Sequence, residues 1–187
     1  MNIYFIRHGE PDYITDSLTE TGHQQAQKLA ETIEELQLDE IYQSPMGRAK
    51  QTAAYSAQKL GIEPVTLDWL REICWGDMSG DAYSTASPWS LSDKFIFDDH
   101  EYPQGENWKE HPLVKNDRMV QSLEEHISNL ESFLAKKGYV REGQLYRSEA
   151  GRESKNIGVF CHGGVISTCA AHLLNIPFFH FIAHTTA

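Results

Sequence analysis

Two histidines in this chain share the same local setting, just after a short apolar run and directly before a glycine. His8 follows residues 3–6 and an arginine, and His162 follows residues 156–161. A neutral imidazole held in one tautomer can act as a nucleophile, and a histidine N–H can also donate to an anion. Their similar settings predict that both histidines belong to one site.

Two arginines could bind an oxyanion beside these histidines. Arg7 directly precedes the first of them, and Arg48 lies in the first turn of a predicted helix. A guanidinium group offers forked N–H donors, and a helix N-terminus adds free N–H groups and a favourable dipole. Gly9, Gly163 and Gly164 would let backbone approach a ligand closely. These residue types predict a site for a phosphoryl group.

Transfer of a phosphoryl group from an ester also requires an acid, because the departing alkoxide is a poor leaving group. A carboxylic acid with a raised pKa is the usual device. Glu72 follows a predicted strand and is the first candidate, with Glu10 as the rival carboxylate.

The rest of the chain alternates between strand-like and helix-like patterns. Strands are predicted over 3–6, 39–44, 63–70 and 156–161, and helices over 19–36, 44–61, 116–137 and 165–175. This alternation is typical of an α/β fold, a three-layer sandwich in which helices flank a mainly parallel sheet. Ligands bind beyond the carboxyl ends of the strands in such sheets, which is where the histidines and Arg48 are expected.

Residues typical of helix ends, and segments without periodicity, add further predictions. Ser44 and Pro45 predict the N-cap and first residue of the second helix, and Gly61 its C-terminal cap. A polar hairpin or loop is predicted over 139–155. Residues 76–115 lack periodicity but are rich in aromatics, which favours a functional insertion. We expect it to form a cap over the active-site edge of a single domain, 1–187.

Composition limits the classes of partner. The net charge of −11 argues against a nucleic-acid binder, although arginines at contact distance could still hold a small anion. Neither a signal peptide nor a membrane span is recognised, so a cytoplasmic protein without a membrane partner is expected. The three cysteines are expected to be reduced thiols. The oligomeric state stays open.

Each candidate also has an ordinary structural interpretation. A lone histidine after a strand is more often structural, Arg48 could be a solvated helix cation, and Glu72 a surface acid. A structural role is assigned by default to His23, His100, His111, His126, His172, His180 and His184. The functional interpretation depends on the conjunction of several weak signals, each at the end of a strand or the start of a helix.

The sequence resembles the histidine phosphatase superfamily, which has the phosphoglycerate-mutase-like fold, over most of its length. The segment "FIRHGEPD" resembles the N-terminal RHG signature, "YQSPMGRAKQTA" (42–53) the segment with the second arginine, "LREICWGDMSG" (70–80) the stretch with the acid, and "VFCHGGVI" (159–166) the second histidine.

The resemblance implies a role for each site residue. His8 would become phosphohistidine, and Glu72 would protonate the leaving group and then help to activate water. The phosphoryl oxygens would be held by Arg7, Arg48, His162 and Gly163. Neither a metal nor another cofactor is implied.

Three departures from the family pattern stand out. Residues 11–17 lack the Asn and the Arg-x-Gln-Gly segment of many members, and the usual Trp-Glu-Gly after the acid reads Met78-Ser79-Gly80. Many members also continue into a final strand where this sequence reads "HFIAHTTA" (180–187), so truncation at Ala187 is an open question.

The expected function is that of a metal-independent phosphomonoesterase acting on a small phosphorylated metabolite. A phosphoglycerate-type mutase is the alternative within enzymes, disfavoured because the chain lacks the longer insertions of cofactor-dependent mutases. A non-catalytic phospho-ligand-binding protein on the same fold is the alternative outside enzymes. A metal hydrolase built on the nine histidines is less favoured, because no HExxH pattern occurs.

Overall fold

The computed structural model of the chain describes residues 1–80, 87–90, 108–112, 114–148 and 154–185. The chain divides into two compact units. The first comprises Met1–Glu72 and Glu149–Ile166, and the second Ile73–Ser148 and Ser167–Ala187. Much of the predicted cap insertion, 76–115, lies outside the described residues, and its position over the active-site edge stays a prediction.

Strands and helices alternate along the chain, as the patterns predict. The strands are β1 (Asn2–Arg7), β2 (Pro11–Asp12), β3 (Ser17–Leu18), β4 (Glu40–Gln43), β5 (Val65–Thr66), β6 (Tyr139–Glu142), β7 (Leu145–Ser148) and β8 (Asn156–Cys161). The α-helices are α1 (Glu20–Thr32), α2 (Gly47–Leu60), α3 (Arg118–Lys136), α4 (Gly163–Leu174) and α5 (Phe178–His184). Short 3-10 segments are Ile33–Leu36, Asp68–Leu70 and Trp108–Glu110.

A four-stranded parallel sheet in the order β1-β8-β4-β5 organises the first unit. Strand β8 lies inside the sheet and is buried from Ile157 to Cys161, which explains its continuous apolar sequence. Its register pairs Cys161 with Arg7 of β1, and Phe160 with Gln43 of β4. The residues that follow these three strands therefore emerge at the same edge, and the predicted α/β fold with a parallel sheet flanked by helices is confirmed.

Helices α1 and α2 pack against each other, and α2 also packs on β4 and β8. The core here contains Ile33, Ile41, Ala53 and Phe160, each with at most 1% of its surface exposed. Burial of these apolar surfaces holds α2, and with it the functional side chains of its first turns, against the sheet.

The second helix begins later than predicted. Its first residue is Gly47 and its N-cap is Met46, so the assignment of Ser44 and Pro45 to the helix start is wrong. Ser44 is instead fully buried, and its Oγ accepts the Met46 N–H at 3.2 Å. Gly61 does end the helix in the left-handed conformation, with φ of 67°, as predicted.

The predicted strand over 63–70 is only partly correct. Only Val65 and Thr66 pair with β4. The chain then turns into the 3-10 segment Asp68–Leu70, which buries Leu70 completely. A strand of two residues is too short to show an alternating pattern, so its end cannot be predicted from sequence.

The second unit is built around helix α3. Its N-cap Asp117 accepts the Met119 N–H at 2.8 Å. The core of this unit includes Met119 and Leu123 of α3 with Phe179 and Ile182 of α5. Helix α5 falls in the tail for which no element is predicted.

Strands β6 and β7 form the predicted hairpin, turning at Gly143 with φ of 65°. The remainder of the predicted 139–155 segment includes 149–153, which lie outside the described residues.

The described residues contain no single helix that is long and apolar enough to cross a membrane. Helices α4 and α5, bent by 116° at their junction, pass the length and composition test only as a pair.

Candidate active site

The structure brings His8 and His162 together at the carboxyl ends of β1 and β8. The His8 N–H donates to the Cys161 carbonyl at 3.1 Å, which extends the pairing of the two strands by one residue. The ring centroids are 5.1 Å apart and the rings are tilted by 59°. Both side chains are buried, and the structure thus brings together the two histidines that were expected at one site.

Two hydrogen bonds fix the tautomer of His8. Its Nδ1 lies 2.7 Å from the Gly9 carbonyl oxygen, and its Nε2 lies 3.3 Å from Nε of Arg48. A carbonyl oxygen only accepts and a guanidinium N–H only donates, so Nδ1 carries the proton and Nε2 the lone pair. The arrangement presents Nε2 as the nucleophilic atom.

Burial lowers the pKa of His8 below its ordinary value of 6.5, and the charges of Arg48 and Arg7 act in the same direction. The hydrogen bond to Gly9 and the charge of Asp16 oppose this shift without reversing it. The imidazole therefore stays neutral, as a nucleophile must, to a lower pH than a solvated histidine.

Arg48 is the most enclosed cation of the site, with 5% of its surface exposed. Besides its Nε contact with His8, its Nη1 donates to Asp16 Oδ1 at 2.5 Å and its Cζ lies 5.4 Å from the centroid of the Tyr13 ring. Thr52, one turn along α2, accepts the Gly9 N–H at 3.0 Å. Helix α2 thus holds both the arginine and the backbone beside the first histidine.

Arg7 lies at the last position of β1 and is exposed to solvent. Its charge is one of those that lower the pKa of His8. Of the two arginines predicted to bind an oxyanion, one is therefore exposed and the other is buried, and the charges of both act on His8.

Ser44 is a site residue that the sequence interpretation missed. Its Oγ lies 2.8 Å from Nε2 of His162 and accepts the Met46 N–H. Ser44 follows β4 directly, and its own N–H donates to the carbonyl of Phe160. Its place immediately after a strand, the same signal used for the histidines, could have identified it.

Glu72 and Glu10 have different surroundings. The Glu72 Oε1 accepts the Gly164 N–H at 3.0 Å, which places the carboxylate at the first turn of α4, two residues beyond His162. The Glu10 Oε1 accepts from the hydroxyl of Thr19, the N-cap of α1. Gly163, a predicted substrate-binding residue, is the buried first residue of α4.

Asp16 is the second residue that the sequence interpretation missed. Its Oδ2 accepts the Gly47 N–H at 2.7 Å, while its Oδ1 binds Arg48. The N-terminus of α2 was expected to offer free N–H groups, but the first of these already donates to a carboxylate from the β2–β3 hairpin.

Other features of the chain lie outside this cluster. Within the described residues, no three His, Cys, Asp or Glu side chains form a cluster that could hold a metal ion. An open cavity of about 570 Å³, lined by Lys50, Gln58 and Glu63 among others, contains none of the predicted catalytic residues.

Comparison with known proteins agrees with the resemblance. A family model described as the histidine phosphatase superfamily, branch 1, matches residues 3–135, more than half of the chain but short of His162. The chain is 26% identical to a probable phosphatase of Schizosaccharomyces pombe, over 97% of this chain and 77% of that protein. It is 28% identical to a probable phosphoglycerate mutase of Serratia proteamaculans, over 66% of this chain and 62% of that protein.

A solved structure shows the same fold. The phosphoserine phosphatase of Entamoeba histolytica, in complex with 3-phosphoglyceric acid, matches with a TM-score of 0.63 and 21% identity, over 99% of this chain and 85% of that chain. By contrast, the chain covers less than two thirds of the length of the phosphoglycerate mutase relative from Serratia proteamaculans. The match of the family model over residues 3–135 shows that the chain belongs to the histidine phosphatase superfamily.

Proposed function

We propose that this protein is a metal-independent phosphomonoesterase that acts on a small phosphorylated metabolite through a phosphohistidine intermediate. The observation that carries the proposal is the fixed tautomer of His8, whose protonated Nδ1 faces Gly9 and whose Nε2 faces Arg48. A buried, neutral imidazole with an oriented lone pair, beside Arg48 and within the influence of the Arg7 charge, suits attack on a phosphoryl group.

The proposed reaction has two steps. In the first, the substrate displaces the Arg48 Nε–H from His8 Nε2 and accepts it on a phosphoryl oxygen. The freed Nε2 lone pair forms a bond to phosphorus as the ester P–O bond breaks, and Glu72 gives its proton to the leaving oxygen. In the second, water attacks the phosphorus of phosphohistidine, Glu72 accepts a proton from that water, and the N–P bond breaks to release phosphate. Arg7, Arg48 and His162 stabilise the negative charge of the phosphoryl oxygens in both steps.

The test is hydrolysis of p-nitrophenyl phosphate between pH 4 and 9, with and without a chelator. We expect turnover that the chelator leaves unchanged. Because the reacting form of His8 is neutral and its pKa is lowered, the acid limb of kcat/KM should lie below pH 6.5. Turnover that the chelator abolishes, or no turnover across the range, would contradict the proposal.

Replacement of the nucleophile supplies the control for this test. His8→Ala should lower kcat by more than about 10³-fold and should abolish the acid-labile phosphoprotein that rapid quenching traps from wild type. His23→Ala is the matched variant, because His23 is a partly buried histidine of α1 that bonds Tyr55 rather than a site residue. A phosphoprotein that persists in the His8 variant would refute the assigned nucleophile.

A phosphoglycerate mutase activity is the second candidate, because one relative carries that name. Incubation with 3-phosphoglycerate separates the two by product, since a phosphatase releases inorganic phosphate and a mutase yields the isomer. Phosphoserine belongs in the same substrate panel, because a protein of the same fold bears the name phosphoserine phosphatase. We expect phosphate release without isomerisation.

A further inference from the structure

We propose that Asp16 is a positioning residue that holds Arg48 on the nucleophilic face of His8. The inference rests on the proposed function and assigns a role to the short β2–β3 hairpin, where the chain departs from the pattern of its family. Neither the RHG segment nor the helix that carries Arg48 contains this carboxylate.

The geometry is that of a two-point clamp. Asp16 Oδ1 binds Nη1 of Arg48 at 2.5 Å, and Oδ2 accepts the Gly47 N–H at 2.7 Å. One carboxylate therefore contacts both the backbone and the side chain at the start of α2. With Nη1 fixed in this way, the Nε–H of the planar guanidinium faces His8 Nε2 at 3.3 Å.

The backbone at Gly47 and Asp16 has two features that permit the contact between the carboxylate and Arg48. A Cβ atom on Gly47 would lie 2.1 Å from the Asp16 carbonyl oxygen, so only glycine allows the hairpin to approach the helix so closely. Asp16 itself has φ of 49°, in the left-handed region that aspartate and asparagine tolerate better than other residues. A close approach and an uncommon backbone conformation together bring this carboxylate to Arg48.

The burial of the two partners fits a positioning role. The Arg48 side chain is 6% exposed, whereas that of Asp16 is 42% exposed. An exposed ion pair contributes little to stability, but a carboxylate anchored on the Gly47 N–H restricts the orientation of the enclosed guanidinium that it also binds. The clamp should therefore affect the geometry of the reaction more than the stability of the fold.

Asp16→Asn tests the clamp with the least change of shape, because asparagine has the same size and also tolerates the left-handed conformation. One amide oxygen cannot accept from both donors in the manner of a carboxylate, and the amide N–H₂ repels the other donor. We expect kcat/KM for p-nitrophenyl phosphate to fall by about 10- to 100-fold, the cost of a misplaced catalytic group. Substrate binding should change less than kcat.

The titration of His8 distinguishes positioning from a simple effect of charge. The groups that act on this imidazole are the charges of Arg7, Arg48 and Asp16, the Gly9 carbonyl and the neighbouring ring of His162. Arg48 lowers the pKa of His8 more strongly than Asp16 raises it. If Arg48 withdraws in Asp16→Asn, the pKa of His8 should rise, whereas loss of the Asp16 charge alone would lower it.

The measurement is an NMR titration of the His8 ring in wild type, Asp16→Asn and Asp12→Asn. Asp12 lies in the same hairpin and binds the Ile14 N–H and the Thr15 hydroxyl, so it controls for general disturbance of the hairpin. A rise in the His8 pKa confined to Asp16→Asn supports the clamp. An unchanged or lowered pKa in that variant overturns it.

A second variant disturbs the clamp by changing the backbone contact between Gly47 and Asp16. Gly47→Ala should push the hairpin away without altering a charge, and its effect on the His8 titration should not add to that of Asp16→Asn. The titration needs no turnover, so it tests the clamp even if wild type fails to hydrolyse any ester. If wild type is active and the His8 titration is unaltered in Asp16→Asn, the clamp is refuted and the proposed function is not.

Discussion

At the scale of single residues, the buried hydroxyl of Ser44 connects the second histidine to the start of α2. Its Oγ contacts both His162 Nε2 and the Met46 N–H. Ser44→Ala should therefore lower kcat about tenfold, which is about 1.4 kcal/mol of transition-state stabilisation, because His162 loses a group that orients its ring. The measurement is steady-state hydrolysis of p-nitrophenyl phosphate.

Ser56 offers the matched control for this substitution. It is also fully buried and lies on α2, but its Oγ has no hydrogen-bond partner among the described residues. Ser56→Ala should leave kcat unchanged and should leave the free energy of unfolding equal or slightly higher, because an unsatisfied buried hydroxyl is removed. Equal losses of kcat in the two variants would contradict the role of Ser44.

The two kinds of site residue differ in how far the sequence could predict them. His8 and Arg48 lie in contiguous segments whose residue types indicate their chemistry, and both are found at the site. Ser44 and Asp16 depend on partners 118 and 32 residues away in the chain. The position of Ser44 after a strand could have placed it at the edge of the site. The partners of Ser44 and Asp16 are set by sheet register and by the hairpin, so the sequence could not indicate which groups these two side chains bind.

At the scale of elements, a contact between two glycines fixes the turn after β1 against α1. A Cβ atom on Gly22 would lie 2.2 Å from the Glu10 carbonyl oxygen, and one on Gly9 would lie 2.6 Å from the Gly22 carbonyl oxygen. The helix therefore packs directly on the backbone that follows His8. This contact holds the turn that carries the proposed nucleophile.

Gly22→Ala tests this contact. Alanine alone would favour the helix by about 1 kcal/mol, but the overlap with backbone should reverse that gain and give a net destabilisation of about 1–3 kcal/mol. Urea unfolding measures the change, and kcat should fall because the turn shifts. Gln24→Ala, on the exposed face of α1, should alter the unfolding free energy by less than about 0.5 kcal/mol. A more stable Gly22 variant would refute the contact.

The boundaries of helices and strands could be predicted where an apolar pattern extends over the whole element. The apolar stripe of α3 and the buried run of β8 correspond to the observed helix and strand. The start of α2 could not be predicted, because Ser44 and Pro45 resemble helix-starting residues while Ser44 bonds His162 instead. Capping rules consider only neighbouring residues, so they fail for a serine whose hydroxyl also bonds a side chain far away in the sequence.

At the scale of the whole molecule, the two compact units raise the question of cooperativity. The chain length predicts a single domain, which would unfold in one step. Each unit has one buried free cysteine, Cys161 in the first and Cys169 in the second, and neither has exposed surface. Burial also raises the pKa of the Cys169 thiol to about 12, so this thiol should react only when the structure around it opens.

Thiol labelling in a Cys74→Ser background measures the opening of each unit separately. Cys74 is exposed and would otherwise react at once, so its replacement leaves the two buried thiols as reporters. If the chain is one cooperative domain, both thiols should be labelled with the same opening free energy and the same dependence on denaturant, as located by peptide mass spectrometry. Wild type supplies the control, since one thiol should react in the native protein and three after unfolding. A lower opening free energy for one buried thiol would mean that its unit opens alone, and the prediction of a single domain would then be wrong.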